Sequence, residues 1–158
     1  MTQLQKNTKL YKDIAVLIPT LNNLAMLKQV LTAVFDQTLL PLEIVISDSS
    51  SNDEIQEFVK TLSSEINISY IRAGRAYKFD KLLFKIKNLF SWIESSNSNY
   101  SGRAYPYEAT NLAISHTSCS WVAFLDAGTL PTQSWLEDYW NLVSTDKVDI
   151  VFGNTMYL

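Results

Sequence analysis

The stretch that decides the fold is residues 14–53, which read IAVLIPTLNNLAMLKQVLTAVFDQTLLPLEIVISDSSSND. It begins with an unbroken aliphatic run that Pro19 ends, and a second run of the same kind, EIVIS, lies near its close. Continuous β-branched and aliphatic runs are typical of strands buried on both faces of a parallel sheet. Between them, apolar residues recur at helical spacing and predict an amphipathic helix from about Leu24 to Phe35. The stretch therefore predicts a β-α-β unit.

The same alternation continues along the rest of the chain. A helix that Asn52 or Asp53 caps, followed by a strand over residues 66–71, completes a β-α-β-α-β first half. The second half predicts a helix, a strand, a helix and a strand, at about 108–115, 121–125, 133–143 and 148–152 in turn. Such alternation favours a mainly parallel sheet flanked by helices, with ligands at the carboxyl ends of the strands. We therefore predict a single α/β domain over residues 1–158.

Scarce residue types exclude several classes of functional site. The four glycines are never closer than 25 positions to one another, so the chain contains neither a dinucleotide-binding fingerprint nor a Walker-type phosphate loop. With Cys119 as its one cysteine, the chain cannot build a zinc ribbon, an iron–sulfur cluster or a disulfide framework. The formal net charge of −3 leaves no electrostatic footprint for nucleic acid, which we do not expect as a partner.

The beginning of the sequence bears on localisation. Residues 1–13 are polar and mixed in charge, and the apolar run that follows is only five residues long. Neither feature matches a signal peptide or a membrane span. We therefore expect a cytoplasmic protein, and the unpaired Cys119 is compatible with that compartment.

A basic amphipathic segment interrupts the alternation between residues 72 and 102. Its apolar residues fall at helical spacing from Phe79 to Ile93, and four lysines flank them. A helix of this kind can lie on an anionic membrane surface, or it can pack on the sheet with its lysines in water. Both interpretations stay open, and the first predicts peripheral contact with the inner membrane through residues 78–93.

Two aspartates occupy the carboxyl ends of predicted strands, where a parallel sheet presents side chains to a ligand. Asp48 ends the EIVIS strand and precedes a serine cluster. Its carboxylate can accept a hydrogen bond from a ring N–H of a base such as uracil or thymine. An Asx turn or a helix cap explains the D-S-S-S pattern equally well, so both interpretations of Asp48 are kept.

Asp126 ends the second such strand, and the small residues Ala127 and Gly128 follow it. This loop offers one hard oxygen ligand and leaves room for a diphosphate. Magnesium or manganese often needs only one or two protein carboxylates when phosphate oxygens fill the other positions. The pattern is compatible with a sugar diphosphate bridged by such an ion.

These residues resemble a known family. Residues 14–53 look like the N-terminal half of the inverting, family-two glycosyltransferases with the GT-A fold, which open with a strand, P-T-x-N, a helix ending in x-Q-T, then x-x-E-I-x-x-x-D and a serine-rich turn. Residues 108–136, EATNLAISHTSCSWVAFLDAGTLPTQSWL, are similar to the family's A-R-N-x-A-I helix, F-L-D-x-D strand end and P-x-x-W-L. The resemblance covers most of the chain outside the basic segment.

The resemblance also implies a site, position by position. It implies nucleotide-sugar contacts by Pro19, Thr20, Leu21, Asn22, Asp48, Arg103, Asn111 and Asp126. Asp126 would be the first acid of the metal and diphosphate motif, with manganese or magnesium as the cofactor. Gly128 replaces the second acid, and Thr110 replaces the usual arginine, whose role Arg103 or Arg75 can take. Leu21 stands where a tyrosine often stacks on the base.

The function implied is transfer of a sugar from a UDP- or dTDP-sugar to a polysaccharide or lipid-linked acceptor, as in enzymes that build bacterial surface polysaccharides such as lipopolysaccharide. In the family, the acceptor site and the general base follow the strand VDIVF, after which this sequence has only residues 153–158. No residue matches the base position, so the catalytic residues are not assigned. We expect a donor-binding fragment with little transfer by itself. The alternative is a catalytically inactive nucleotide-sugar-binding or scaffolding module.

Overall fold

The computed structural model describes residues 10–73, 106–145, 148–151 and 153. Strands and helices alternate along these residues in the order β1 (Leu10–Thr20), α1 (Leu24–Phe35), β2 (Leu39–Asp48), α2 (Glu54–Lys60), β3 (Asn67–Arg72), α3 (Pro106–Ile114), β4 (Trp121–Phe124) and α4 (Trp135–Thr145). The predicted α/β class is confirmed. Most of the basic segment predicted at 72–102, including the stripe at 78–93, lies outside the described residues, as do Arg75 and Arg103.

The four strands form one parallel sheet in the order β3-β2-β1-β4. In register, Thr20 lies beside Asp48, and Asp48 lies beside Arg72. The chain therefore builds outward from β1 to β3 and then returns to the other side of β1 to add β4. Such a reversal of strand order creates a crevice at the carboxyl ends of the strands, where open α/β sheets bind their ligands.

The core lies on both faces of the sheet, because side chains alternate between faces along each strand. On one face, residues from β1, β2, α1, α2 and α4 form the larger cluster, which includes Val16, Ile18, Leu27, Leu31, Ile44, Ile46, Ile55 and Leu136. On the other face, α3 contributes Ala113 to a smaller cluster with Ala15, Leu17 and Val45. Full burial of one large aliphatic side chain contributes about 1.5–3 kcal/mol, so α1 is held mainly by its apolar stripe.

The final strand predicted at 148–152 is wrong for the part that the structure describes. Residues 148–151 lie in no strand, and Ile150 is 68% exposed. An apolar run forms a strand only where a neighbour pairs its backbone N–H and C=O groups. Among the described residues no strand pairs with residues 148–151, and the charged Asp149 interrupts the run.

Helix length bears on the membrane question. None of the helices in the described ranges is both long enough and apolar enough to cross a bilayer. The longest, α1, has 12 residues, against the roughly 20 that a spanning helix requires.

Candidate functional site

The candidate site lies at the carboxyl edge of the sheet, where the segments that follow the strands are bound to one another. The backbone N–H of Ser49 donates to the carbonyl of Thr20 at 2.9 Å, and that of Ala73 donates to the carbonyl of Asp48 at 2.8 Å. These bonds extend the parallel ladder beyond the regular strands. The loops after β1, β2 and β3 therefore form one connected surface.

Asp48 is the most completely enclosed charged residue of this surface, with 0% of its side chain exposed. One carboxylate oxygen, Oδ1, accepts from the backbone N–H of Ser50 at 2.8 Å, which is an Asx turn. The other, Oδ2, accepts from the Tyr70 hydroxyl at 2.7 Å and lies 3.2 Å from the Arg72 guanidinium. The Asx-turn interpretation is therefore present in the structure, while the contact with a base stays a prediction.

Tyr70 donates to this carboxylate from the neighbouring strand β3. Burial raises the pKa of the Tyr70 phenol well above its usual value, and the hydrogen bond to Asp48 raises it further. The phenol therefore keeps its proton throughout the physiological range and remains a donor. The result is a neutral hydroxyl that fixes the direction of a buried carboxylate.

Arg72 is a site residue that the sequence analysis missed. Its Nη1 donates to the carbonyls of Ser50 and Asn52 at 2.9 Å each, and its Nη2 lies 2.5 Å from the Asp53 carboxylate. The guanidinium thus holds the serine-rich loop after β2 in a fixed shape. The available signal was its place at the end of β3, in register with Asp48, but the sequence analysis assigned it to the start of the basic segment.

Asn22 joins the loop after β1 to the loop after β2. Its backbone N–H donates to the Ser50 hydroxyl at 2.7 Å, and its side-chain oxygen accepts from the N–H and the hydroxyl of Ser51 at 2.9 and 3.1 Å. Its φ of 50° is positive, a conformation that asparagine tolerates better than most residues. The next residue, Asn23, caps α1 by accepting from the N–H of Met26 at 3.2 Å.

Three buried hydroxyls at this edge have no hydrogen-bond partner in the part of the chain that the structure describes, namely those of Thr20, Ser47 and Ser49. A buried hydroxyl without a partner is unfavourable, and native proteins rarely leave one unsatisfied. Their concentration at the ends of β1 and β2 is typical of a surface that a polar ligand completes. Leu21, 46% exposed, lies beside them in the sequence and leaves an apolar side chain at the surface.

Asp126 lies across β1 from Asp48, just beyond the end of β4. The neighbouring residues Leu125 and Ala127 are buried, whereas Asp126 itself is exposed. Within the described ranges its carboxylate takes part in no hydrogen bond or ion pair, and its carbonyl accepts from the N–H of Thr129 at 2.9 Å. Because no described residue binds this carboxylate, it is available to a ligand in this part of the structure.

The metal prediction can be tested against this geometry. No group of three potential metal-ligating side chains occurs among the residues described. Asp126 is thus a single carboxylate, which fits an ion whose other ligands are phosphate oxygens and water but not a preformed protein site. At Gly128, where the family has its second acid, an added Cβ would meet nothing within 4 Å.

The other residues predicted to contact the nucleotide sugar lie in two places, the end of β1 and helix α3. Pro19, Thr20, Leu21 and Asn22 lie together at the end of β1, beside Asp48. Asn111 is exposed on α3, while Ala109 and Ala113 on the same helix are buried. Among the described residues the structure shows no contact between its side chain and the other predicted site residues. The predicted contacts with a nucleotide sugar stay predictions.

The strand order and the positions of two aspartates indicate the fold class independently of any relative. A parallel sheet with strand order 3-2-1-4, with one aspartate at the end of β2 and another after β4, agrees with the GT-A fold predicted from the motifs. Comparison with known proteins confirms the family resemblance. Residues 15–80 match the model of glycosyl transferase family 2, the family that the motifs resemble.

Two curated relatives agree with that assignment. The chain is 25% identical to a chondroitin synthase of Escherichia coli over 146 residues, covering 92% of this chain and 18% of the relative. It is 27% identical to the glycosyltransferase AglE of Haloferax volcanii over 146 residues, covering 91% of this chain and 40% of the relative. The chain thus spans less than half the length of either relative.

Solved structures confirm the fold. TarS 1-349 of S. aureus superposes with a TM-score of 0.54 at 17% identity, covering 83% of this chain and 32% of that one. The same protein solved in complex with UDP-GlcNAc gives the same TM-score and identity, with 31% of its chain covered.

Proposed function

We propose that this chain is the donor-binding domain of a glycosyltransferase that transfers a sugar from a nucleotide-diphosphate sugar to a polysaccharide or lipid-linked acceptor. The observation that carries the proposal is the carboxyl edge of the sheet, where Asp48, three buried hydroxyls and the Asp126 carboxylate lie at or just beyond the ends of strands β1, β2 and β4, the hydroxyls and Asp126 having no side-chain partner in the described ranges. The glycosyltransferase relatives support it, and so do the TarS structures solved with UDP-GlcNAc and with UDP. We propose a UDP- or dTDP-sugar as the donor.

The spacing of the strands suits one nucleotide diphosphate. Neighbouring strands lie about 4.8 Å apart, so the ends of β2 and β4, which β1 separates, are about 10 Å apart. The base would lie at the Asp48 end and the ribose near the hydroxyls of Thr20 and Ser49. The diphosphate would then reach Asp126 on the far side of β1.

Asp126 would also hold the divalent ion. Manganese or magnesium would bind through one carboxylate oxygen together with diphosphate oxygens, and when bound it would neutralise the charge that develops on the leaving diphosphate. Because Gly128 supplies no second carboxylate, the protein's own contribution to metal affinity would be small. The ion would therefore bind with the nucleotide rather than before it.

Inverting transfer also needs a general base, which takes the proton of the acceptor hydroxyl as that oxygen attacks the anomeric carbon opposite the leaving diphosphate. The exposed carboxylates Glu137 and Asp138 lie on α4 and bond to Thr38 and Ser134. Neither matches the family's base position, and we assign the base to no residue of this chain. The role proposed for the chain is to bind and orient the donor.

Calorimetry with UDP, dTDP and GDP in the presence of manganese tests this proposal. We expect UDP or dTDP to bind, and Asp48→Asn, which keeps the shape of the side chain, to weaken binding at least tenfold, about 1.4 kcal/mol. Asp36→Ala, an exposed change at the opposite end of α1, is the matched control. Absence of binding by all three nucleotides, or unchanged binding by the Asp48 variants Asn and Ala, would show that the assignment is wrong.

A second candidate function is an inactive nucleotide-sugar-binding or scaffolding module that keeps the fold without the chemistry. The replacement of the motif's second acid by Gly128 favours it. The two candidates differ in turnover, because both bind the nucleotide sugar but only the enzyme consumes it. A transfer assay on the full-length protein with a UDP-sugar and a saccharide acceptor separates them.

A further inference from the structure

The loop that carries Asp126 is held at its far end by two residues from a distant part of the chain. Gln37 and Thr38 lie between α1 and β2, and they bind the segment just before α4. The Gln37 side-chain nitrogen donates to the carbonyl of Thr132 at 2.7 Å, and the Thr38 backbone N–H donates to the carbonyl of Gln133 at 3.0 Å. We call these two residues the Gln37–Thr38 anchor.

The chemistry at position 37 requires an amide side chain. Gln37 is 1% exposed, and its nitrogen donates to two carbonyls, those of Ala33 and Thr132. Its oxygen accepts from the backbone N–H of Leu136 at 3.1 Å. Two donors and one acceptor are satisfied together, which glutamate, methionine and leucine cannot do. The three bonds fix the end of the loop and the first turn of α4.

Thr38 adds a bond that is accessible to water. It is exposed, and its hydroxyl donates to the Glu137 carboxylate at 2.6 Å. This contact joins the start of β2 to the first turn of α4. It can be removed without opening a cavity in the core.

The anchor reaches Asp126 through the backbone. Asp126 follows β4, whose pairing with β1 fixes one end of the loop, and the anchor fixes the other end at Thr132 and Gln133. Buried Leu125 and Ala127 hold the intervening turn against the core. Among the described residues the Asp126 carboxylate has no side-chain partner, so the position of the Asp126 backbone determines where the carboxylate lies.

We propose that Gln37 and Thr38 are positioning residues for the diphosphate end of the donor site, because they fix the loop that presents Asp126. This inference rests on the proposed function, in which Asp126 meets the diphosphate and its metal ion. The base end, at Asp48, is held by a separate set of bonds from Tyr70, Arg72 and Ser50. Loss of the anchor therefore weakens the diphosphate end selectively.

Hydrogen exchange of the full chain tests the structural part without any ligand. Gln37→Leu should raise the exchange rates of backbone amides in residues 126–136 about tenfold, as expected when hydrogen bonds that close a loop are lost. Residues 44–50 should exchange as in the wild type. Gln29→Leu, the same change at an exposed position of α1, is the control. Unchanged exchange in the loop would overturn the proposal.

Ligand titration tests the functional part. Uridine probes the base end alone, whereas UDP with manganese probes both ends. Gln37→Leu and Thr38→Val should weaken binding of manganese and UDP, the former about tenfold, and leave uridine binding unchanged. Thr38→Ser, which keeps the hydroxyl, should restore the wild-type value. Equal weakening of uridine and UDP, or no weakening of either by both variants, would overturn the proposal.

The two proposals fail in different ways. If the wild type binds neither UDP nor uridine, the proposed function is wrong, and the role given to Asp126 is wrong with it. In that case the exchange experiment still decides whether the anchor holds the loop. If the wild type binds UDP and the anchor variants bind it equally well, the proposed function stands and this inference alone is wrong.

Discussion

At the scale of single residues, the site depends on a carboxylate that is fully enclosed by its own chain. Burying a charge is costly unless polar partners surround it. Asp48 accepts hydrogen bonds from Ser50 and Tyr70 and forms an ion pair with Arg72. These partners come from β3 and from the loop after β2. The contacts that offset the burial of this carboxylate therefore also fix the shape of the edge.

Tyr70→Phe should destabilise the protein in a pH-dependent way. Removal of one donor to a buried carboxylate costs about 1.5 kcal/mol. The pKa of Tyr70 is raised in the folded state, so the unfolded chain ionises first, near pH 10. The wild-type contribution is complete below that pH and is lost as the pH rises above it.

Urea unfolding of the wild type and Tyr70→Phe at pH 7 and between pH 9.5 and about 11 measures both effects. Tyr139→Phe is the control, because the Tyr139 hydroxyl has no hydrogen-bond partner in the described ranges. The stability difference between wild type and Tyr70→Phe should shrink as the pH rises. A difference that stays constant over this range would contradict the prediction.

Asn22 has a positive φ and accepts two side-chain hydrogen bonds. A pair of substitutions separates the effect of the backbone conformation on stability from the effect of these hydrogen bonds. Alanine and glycine both remove the acceptor for Ser51, but only alanine keeps the strain at φ 50°. We expect Asn22→Ala to be less stable than Asn22→Gly by about 1 kcal/mol. Chemical denaturation of the two variants measures this difference, and equal stabilities would mean that the backbone relaxes elsewhere.

At the scale of elements, the turn after β4 has room for a second carboxylate at position 128. An added Cβ at Gly128 meets no atom within 4 Å, and the φ of Gly128 lies outside the left-handed region. Gly128→Asp should therefore be accommodated without strain. It would place a second carboxylate two residues after Asp126 and raise manganese affinity about tenfold or more in the presence of UDP.

Manganese titration followed by electron paramagnetic resonance measures this change. Gly128→Ala is the matched control, since it adds the Cβ without the charge. If Gly128→Asp and Gly128→Ala bind manganese equally, the turn does not direct position 128 toward the diphosphate, and the metal role of Asp126 is doubtful as well.

Helices and strands could be predicted from the sequence where the spacing of nearby apolar residues determines them. The bounds of α1 and the aliphatic centres of β1 and β2 follow from apolar spacing, because both strands are buried on two faces. The apolar run at 148–152 gave a wrong prediction because a strand also needs a neighbouring strand with which to form hydrogen bonds. The positions of Thr20 and Asp48 at strand ends were predictable because each ends a buried apolar run, and Asn22 follows two residues after β1.

Residues that act through distant partners could not be predicted. Gln37 bonds to atoms 95 and 99 positions away, and no local pattern distinguishes it from an ordinary residue at a helix end. Arg72 gains its role from lying in register beside Asp48. Such roles follow from the strand order, which apolar spacing does not specify.

At the scale of the whole molecule, a ligand that binds across the sheet edge should stabilise the entire domain. UDP would contact loops after β1, β2 and β4, which pack on one sheet. Binding to the folded state alone contributes about 2.7 kcal/mol at a concentration 100 times the dissociation constant. Thermal unfolding with increasing UDP measures the effect, and a melting temperature independent of UDP would contradict it.

The position of β1 in the sheet has a consequence for how such a domain diversifies. Because β1 lies between β2 and β4, the part of the chain proposed to face the base, near residues 48–72, is separate in sequence from the part proposed to face the phosphates, near residues 125–136. Substitutions in one part leave the other intact. Under the proposed function, base preference and metal use would therefore depend on separate parts of the sequence, so that a change at Gly128 would affect metal use without altering the surroundings of Asp48.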